Sequence, residues 1–477
     1  MNNTIPENQN TFKELEKKIY ACACESAREI TKRILDEYDK VLMEGRDKEA
    51  YRNKGKRRTS VKTIYGEVEY ERNVYKKKLE DGQTAYIYLL DEAISMDKIG
   101  MISTNLAEKI AMTVTESPYR VTAETISSMG GQTISHGGVW NLVQKVGERI
   151  SQEEQVPVRE MEAGAPRGTQ EVPVLFEEMD GVWLKMQGKD HKKVKKQEMK
   201  VAVTYEGWVE DGKNNSRLYN KRVIAGMEKS EEFHKKREAA LEKKYAVDEI
   251  GQRILNGDGG SWIKEPYDPD TIITLDGFHV HQEIKRRITE KKAAGRITEL
   301  YVGEKPDEML EYINIYADSV ESNDESDKRS SNARKLHDYL NNNRDNLLPW
   351  KSRGIDILEP AEGIVYKNMG VQENQNCTVI TMRMKHRRMR WSTQGANNMG
   401  KLLYTKENQE LPETINRYTD EKMHTEEEKE IKPCLSAAKA PKKDGKGNPY
   451  ADLINHKVPL FEGIQTASRK AFKKIFG

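Results

Sequence analysis

Two aspartates stand where phosphodiester chemistry could use them. Asp180 follows an apolar extended run over residues 172–176 and is followed by Gly181, Val182, Trp183 and Leu184, so it interrupts an otherwise apolar strand. A carboxylate there costs free energy unless solvent, a hydrogen bond or a cation meets it. Asp258 lies in Gly257–Asp258–Gly259–Gly260 at the end of a second extended run, residues 252–256, among glycines that let a phosphate backbone come close. Magnesium takes hard oxygen ligands and keeps several waters, so a few carboxylates gathered at one sheet edge are enough protein to hold it. Two such ions about 4 Å apart activate an attacking oxygen and stabilise the one that leaves. The simpler account of an Asp beside a Gly is a turn, and taken singly Asp258 and Asp276 carry both readings. Asp276 closes a further extended run, 271–275, three residues before His279. That spacing fits a helix N-cap, or a pair on one helix face that steadies the acids or grips a DNA strand.

The elements that must position these residues read as α/β. Extended segments at 172–184, 200–208 and 222–227 precede a charged helix over 230–245, and the runs ending at Asp258 and Asp276 follow. Strands alternating with helices give an open sheet whose sites form at the strands' C-terminal ends. The loop between the first two strands carries Lys189, Lys192, Lys193, Lys195 and Lys196, and residues 284–360 read as a charged α-helical insertion. Ahead of the sheet, residues 12–43 space their apolar side chains as one long amphipathic helix. Residues 59–75 alternate as a β-hairpin. Within 102–150, a helix starting at Pro118, a break at Gly130–Gly131 and a helix capped by Ser135 outline a helix-turn-helix or two ordinary packed helices. Residues 151–170, with Pro157 and Pro166, read as a connector, 401–448 as polar and loop-rich, and 450–477 as a basic amphipathic tail.

With 477 residues, more than one structural unit is expected. The 80 Lys and Arg against 78 Asp and Glu leave +2, so net charge says nothing about nucleic acid, and the local distribution has to be read instead. Residues 51–80 hold ten Lys or Arg against four Glu, and 383–390 hold five with His386 and no acid. Such clusters serve phosphates or form solvated faces. The four cysteines show neither metal-ligand spacing nor a disulfide framework, which suits the cytoplasm. No apolar run approaches the roughly 20 residues of a membrane helix.

In order and spacing, several segments resemble the Lre-type bacterial insertion-sequence transposases, a family long catalogued as uncharacterised and distantly related to Mutator-like transposases. They are Thr63–Ile64–Tyr65–Gly66–Glu67–Val68 with Arg72 and Tyr75, Leu90–Asp91–Glu92, Glu178–Met179–Asp180–Gly181, Gly257–Asp258–Gly259–Gly260–Ser261–Trp262–Ile263, Leu275–Asp276–Gly277–Phe278–His279, and Trp391–Ser392 with Gly395. The likeness runs from about residue 59 to 403. It implies an RNase H-like catalytic domain over 171–283 and 361–403, interrupted by the helical insertion 284–360. Ahead of it would come the helix of 1–50, the basic hairpin region of 51–100 and the helix-turn-helix-like region of 101–150; a polar region, 404–477, would follow. It further implies an Asp–Asp–Glu triad. The first two acids fall on Asp180 and Asp258, and Asp276 to His279 matches the acid-x-x-His signature. The third falls on Glu373, ten residues ahead of Arg383. Asn374, Gln375 and Asn376 stand where the family has a Gly and a His, so Glu362 and Glu359 are alternates.

The activity implied is cleavage and strand transfer on double-stranded DNA, at element ends and target, with two Mg2+ or Mn2+ ions. Asp180 and Glu373 would each hold one ion and Asp258 both. Asp276, His279 and Trp391 would support the acids or touch a DNA strand, while Arg57, Arg58, Lys62, Arg72, Arg383, Lys385, Arg387 and Arg388 would meet phosphates. Pairing of two ends calls for a homodimer or larger assembly, with the 12–43 helix as a contact. The rival readings are a decayed transposase or DNA-binding regulator, and an RNase H-like nuclease without strand transfer.

Overall fold

The computed structural model describes residues 11–79, 83–93, 98–99, 102–212, 215–264, 268–323 and 328–420, all within one unit, Met1–Glu421. The basic tail expected at 450–477 lies outside them. Helix α1 (Phe12–Gly45) opens with the Thr11 N–H donated to Glu14. Its inner face packs on the hairpin of β1 (Tyr51–Thr63) and β2 (Gly66–Lys78) through Leu35 and Asp39, with Cys24 buried against Gly131, while Phe12, Ile19, Ile30, Ile34 and Val41 stay exposed on other faces. Buried Asp39 accepts from the backbone N–H and side-chain amide of Asn73 on β2. The pairing Thr63↔Gly66 makes Ile64–Tyr65 the turn. Strands β3 (Thr84–Ile87), β4 (Lys98–Ile99) and β5 (Ile102–Ser103), with helix α2 (Leu89–Ala93) between β3 and β4, complete a sheet ordered β3-β2-β1-β5-β4.

Helix α3 (Thr104–Glu116) is followed by α4 (Tyr119–Met129) and α5 (His136–Glu153), these two where the sequence places them, with Pro118 and Ser135 as N-caps and the Ser135 hydroxyl accepting from Gly138 N–H. The connector expected at 151–170 is instead largely helical. α5 continues to Glu153 and α6 (Gln155–Glu162) follows, because Pro157 falls in the first turn, where its missing N–H costs nothing.

The second sheet contains β6 (Gln170–Lys185), β7 (Lys196–Tyr205), β10 (Arg222–Gly226), β11 (Tyr245–Gly257) and β12 (Ile272–Leu275). Helix α7 (Gly188–Lys193) lies in the β6–β7 loop, β8 (Gly207–Glu210) pairs with β9 (Ser216–Tyr219), and α8 (Ser230–Glu242) precedes β11. The order is β10-β7-β6-β11-β12, with β10, β7 and β6 antiparallel neighbours and β11 and β12 parallel to β6. Most of β6 is buried, as expected of a strand covered on both faces. The chain is therefore α/β.

Helices α9 (Gly277–Arg287), α10 (Lys291–Val302), α11 (Pro306–Asn323) and α12 (Lys328–Asn341) share a core of their own around Ile297, Met309, Ile313, Leu336 and Leu340. The return to the sheet is one helical passage made of α13 (Gln372–Gln375), a π-helical stretch Asn376–Thr381 and α14 (Met382–Met384). Then α15 (Thr393–Glu407) packs on α5 and β10, and α16 (Leu411–Asp420) follows. The part of the polar, loop-rich expectation for 401–448 that the structure describes is largely helical to Asp420, since Leu411 and Ile415 join the main core, and 421–448 lie outside the described residues. No helix among the described residues is long and apolar enough to cross a membrane.

Candidate active site

Alternation along β6 sends Glu178 and Asp180 to one face and Glu177 to the other. Asp180 is 8% exposed. Its Oδ1 accepts from Gly181 N–H at 2.7 Å and its Oδ2 from the Asn376 amide at 2.6 Å, with His279 Nε2 at 3.6 Å. The parallel pairing Met179↔Gly257 brings the end of β11 beside it, so Asp258 leaves the sheet next to Asp180. The Asp258 carboxylate accepts from Gly260 N–H at 2.7 Å, and its carbonyl accepts from the Tyr339 hydroxyl of α12 at 2.9 Å. Gly259, at φ +79°, holds this loop in the left-handed region, and the Asn343 side chain fills the place of a Cβ. Asp276 N–H donates to Gly257 O at 2.8 Å, and the Asp276 carboxylate caps α9 by accepting from Phe278 N–H at 2.9 Å. The cap puts His279 in the first turn, facing Asp180.

Glu373 sits on α13, and that helix is tied to the same face by Glu178. The buried Glu178 carboxylate accepts from the backbone N–H groups of Gly370, Val371 and Gln372, from Tyr205 OH at 2.6 Å and from the Asn256 amide at 3.1 Å. A carboxylate at the start of a helix satisfies donors that have no partner within the helix. Of the alternates, Glu359 raises the phenol of Tyr366, next after the effect of burial, and Glu362 is exposed in a turn.

The electrostatics of the site follow from this arrangement. Burial raises the Asp276 carboxyl most, and the negative charges of Asp180 and Glu373 raise it further. Burial also leads the rise of Glu198 on β7, reinforced by Asp258 and Asp180. Burial pulls His279 down, but the Asp180 carboxylate beside it, with the charges of Asp276 and Asp258, outweighs that and pushes it up to about 9. The acids of the site outnumber its cations, His279 and the Lys200 that lowers Glu198. Among the described residues no three His, Cys, Asp or Glu side chains stand together as a metal-binding set. Asp180 is turned to Asn376 and Asp258 to Gly260. The donors are nonetheless hard carboxylate oxygens under mutual repulsion, which a divalent cation relieves.

The residues expected to meet DNA divide into two groups. Arg57, Arg58, Lys385, Arg387 and Arg388 are exposed, although Arg58 pairs with Glu69. Lys62 donates to the Thr133 carbonyl at 3.1 Å. Arg72, Arg383 and Trp391 differ from expectation. Arg72 pairs with Asp91 and stacks on Tyr88; Arg383 is 5% exposed and donates to the Val114 carbonyl at 2.7 Å; Trp391, equally buried, donates its indole N–H to the Met384 carbonyl at 2.9 Å. These three hold the interior together. The inner face of α5 is likewise committed, packed on α15 with Gly147 against Asn398, so only the side bearing Trp140, Asn141 and Glu148 is open.

The model of the uncharacterised protein family UPF0236 matches residues 6–415. A UPF0236 protein in the vanSb 3′ region of Streptococcus gallolyticus is 24% identical over 352 residues, 72% of each chain. Two UPF0236 proteins of Caldanaerobacter subterraneus subsp. tengcongensis are 24% identical over 402 residues (83% of this chain, 78% of the relative) and 25% identical over 377 (77% and 72%).

Proposed function

Because the chain belongs to this uncharacterised family, its chemistry has to be argued from its own residues, and we propose that it is a DNA transposase with an RNase H-like catalytic domain. One observation carries the reading. Asp180, Asp258 and Asp276 converge from three neighbouring strands, and the helix bearing Glu373 is anchored to the same face. The strand order supports it, with three sequential antiparallel strands and the fourth and fifth parallel to the first on its other side, as in RNase H-like sheets. The four-helix insertion falls before the last acid, as the family likeness implies. The name of one Caldanaerobacter relative joins eleven designations, as a gene carried in many copies would.

Asp180, Asp258 and Glu373 would hold two Mg2+ or Mn2+ ions, which when bound supply an activated water or 3′-hydroxyl and a stabilised leaving oxyanion. The chain's own groups set the stage. Asn376 orients Asp180, Tyr339 and the Gly260 N–H fix the Asp258 loop, and His279, beside Asp180, would offer a ring N–H to a phosphate oxygen. Work on two element ends calls for two copies, and the apolar side chains exposed along α1 would meet the same helix of a second chain. One observation favours a decayed copy that only binds: the Asn376 amide takes an oxygen of Asp180 that a metal would use.

Incubation with a labelled duplex carrying the ends of its genomic locus separates these readings. Mg2+- or Mn2+-dependent nicking followed by joined products is the expected result. Nicks without joining indicate a nuclease, and binding without cleavage a decayed or regulatory protein.

A further inference from the structure

Two basic segments far apart in sequence are held against each other by backbone hydrogen bonds. The β6–β7 loop exposes Lys189, Lys192, Lys193, Lys195 and Lys196. The turn after α14 exposes Lys385, Arg387 and Arg388. Trp391 joins them, since its N–H donates to the Lys185 carbonyl at 3.0 Å, its carbonyl accepts from Gln187 N–H at 2.8 Å, and the pairing Met186↔Trp391 extends the strand edge. The one acid in the β6–β7 loop, Asp190, is turned inward to accept from Thr393 N–H at 2.8 Å, a third tie. Among the described residues no ion pair engages these lysines and arginines. Arg387 and Arg388 both lie in the left-handed region, at φ 61° and 56°. Two successive non-glycine residues there cost free energy that the surrounding contacts must offset, and such strain clusters at sites that bind ligands.

We infer that the β6–β7 loop and the 385–390 turn form one platform for the phosphate backbone of duplex DNA, held on the strand that carries Asp180. The inference rests on the transposase reading and gives its DNA a path. From Asp180 to Lys185 the strand advances about 17 Å, roughly five base pairs at about 3.4 Å each. A duplex laid along β6 would then meet the platform about half a turn from the bond to be cut. Arginine forks suit phosphate oxygens and the lysines act as point charges, so the grip is independent of sequence.

The test is binding of a labelled duplex of unrelated sequence, in EDTA, across a salt series. The variants are Lys192→Gln/Lys193→Gln, Arg387→Gln/Arg388→Gln and all four together. Each pair is expected to lower the slope of log affinity against log salt by nearly 2, at about 0.9 per phosphate contact, and the four together by nearly twice that, with unchanged thermal unfolding. An unchanged slope in either pair overturns the platform, as does tighter binding of an RNA duplex of equal length with the same losses. Cleavage is scored separately. An unchanged slope with intact cleavage sinks the platform and spares the transposase reading, whereas the expected slopes in a protein that never cleaves do the reverse.

Discussion

At the scale of single residues, Glu178 is the group on which the site's assembly depends most. It touches no reacting atom, but its carboxylate gathers three backbone N–H groups ahead of Glu373. Glu178→Gln keeps the shape and removes the charge, and a buried set of donors left partly unmet costs about 1–3 kcal/mol. Thermal unfolding should fall accordingly, and cleavage should drop while DNA binding in EDTA stays within about twofold; unchanged cleavage would remove Glu178 from the account. Asp180, Asp258 and Asp276 were legible in the sequence because an acid ending or breaking an apolar run stands out, and His279 through its spacing from Asp276. Glu178 was not, since Glu177–Glu178 reads as a polar pair until alternation splits it, sending Glu177 to Arg237 and Arg253 on the far face. Asn376 and Glu198 carried no signal either, because their roles come from contacts across the sheet.

Among elements, the contact of α8 and α15 at the end of β10 is built on charge. Lys401, fully buried, donates to Glu228, to Glu154 and to the Ala225 carbonyl, and Lys236 of α8 also pairs with Glu228. Burial works against the Glu228 charge, but Lys401 and Lys236 outweigh it and lower its carboxyl from 4.5 to about 2. A depressed carboxyl stabilises the fold above its unfolded value and loses that contribution as pH falls through the folded one. Between pH 4.5 and about 2 the protein should therefore lose about 3 kcal/mol from this group. Chemical denaturation against pH checks this, and Glu228→Gln should flatten that part of the curve while destabilising the neutral-pH fold by about 3–5 kcal/mol through the lysines left behind. A Glu228→Gln curve parallel to that of the wild type would contradict it. Most strands and helices were legible from period and caps. The helices after 401 and at 155–162 were hidden because their apolar residues are few, and only the core they reach reveals them.

For the whole molecule, the division into a hairpin-bearing N-terminal part, a five-stranded sheet and an inserted helical core follows the changes of hydrophobic period along the chain. Which face meets which is not in that pattern. α5, outlined as a DNA-reading helix, is packed against α15, a pairing that depends on the small Gly147. The exposed side chains of α1 carry the prediction at this scale. Ile30→Asp/Ile34→Asp, at positions 57% and 61% exposed, should leave thermal unfolding nearly unchanged and shift sedimentation from dimer to monomer; an unshifted oligomer would exclude α1 as the contact. The central claim, that the carboxylates gathered on β6 and at the ends of β11 and β12 hold the ions that cut DNA, is tested most directly by cleavage of an element-end duplex by wild type, Asp180→Asn, Glu373→Gln and Glu362→Gln, with binding measured in EDTA. The expected losses in the first two variants exceed the roughly 10–100-fold typical of a residue that only supports a metal ligand, with near wild-type cleavage in Glu362→Gln and unchanged binding in all three; full cleavage by Asp180→Asn or Glu373→Gln would contradict the claim.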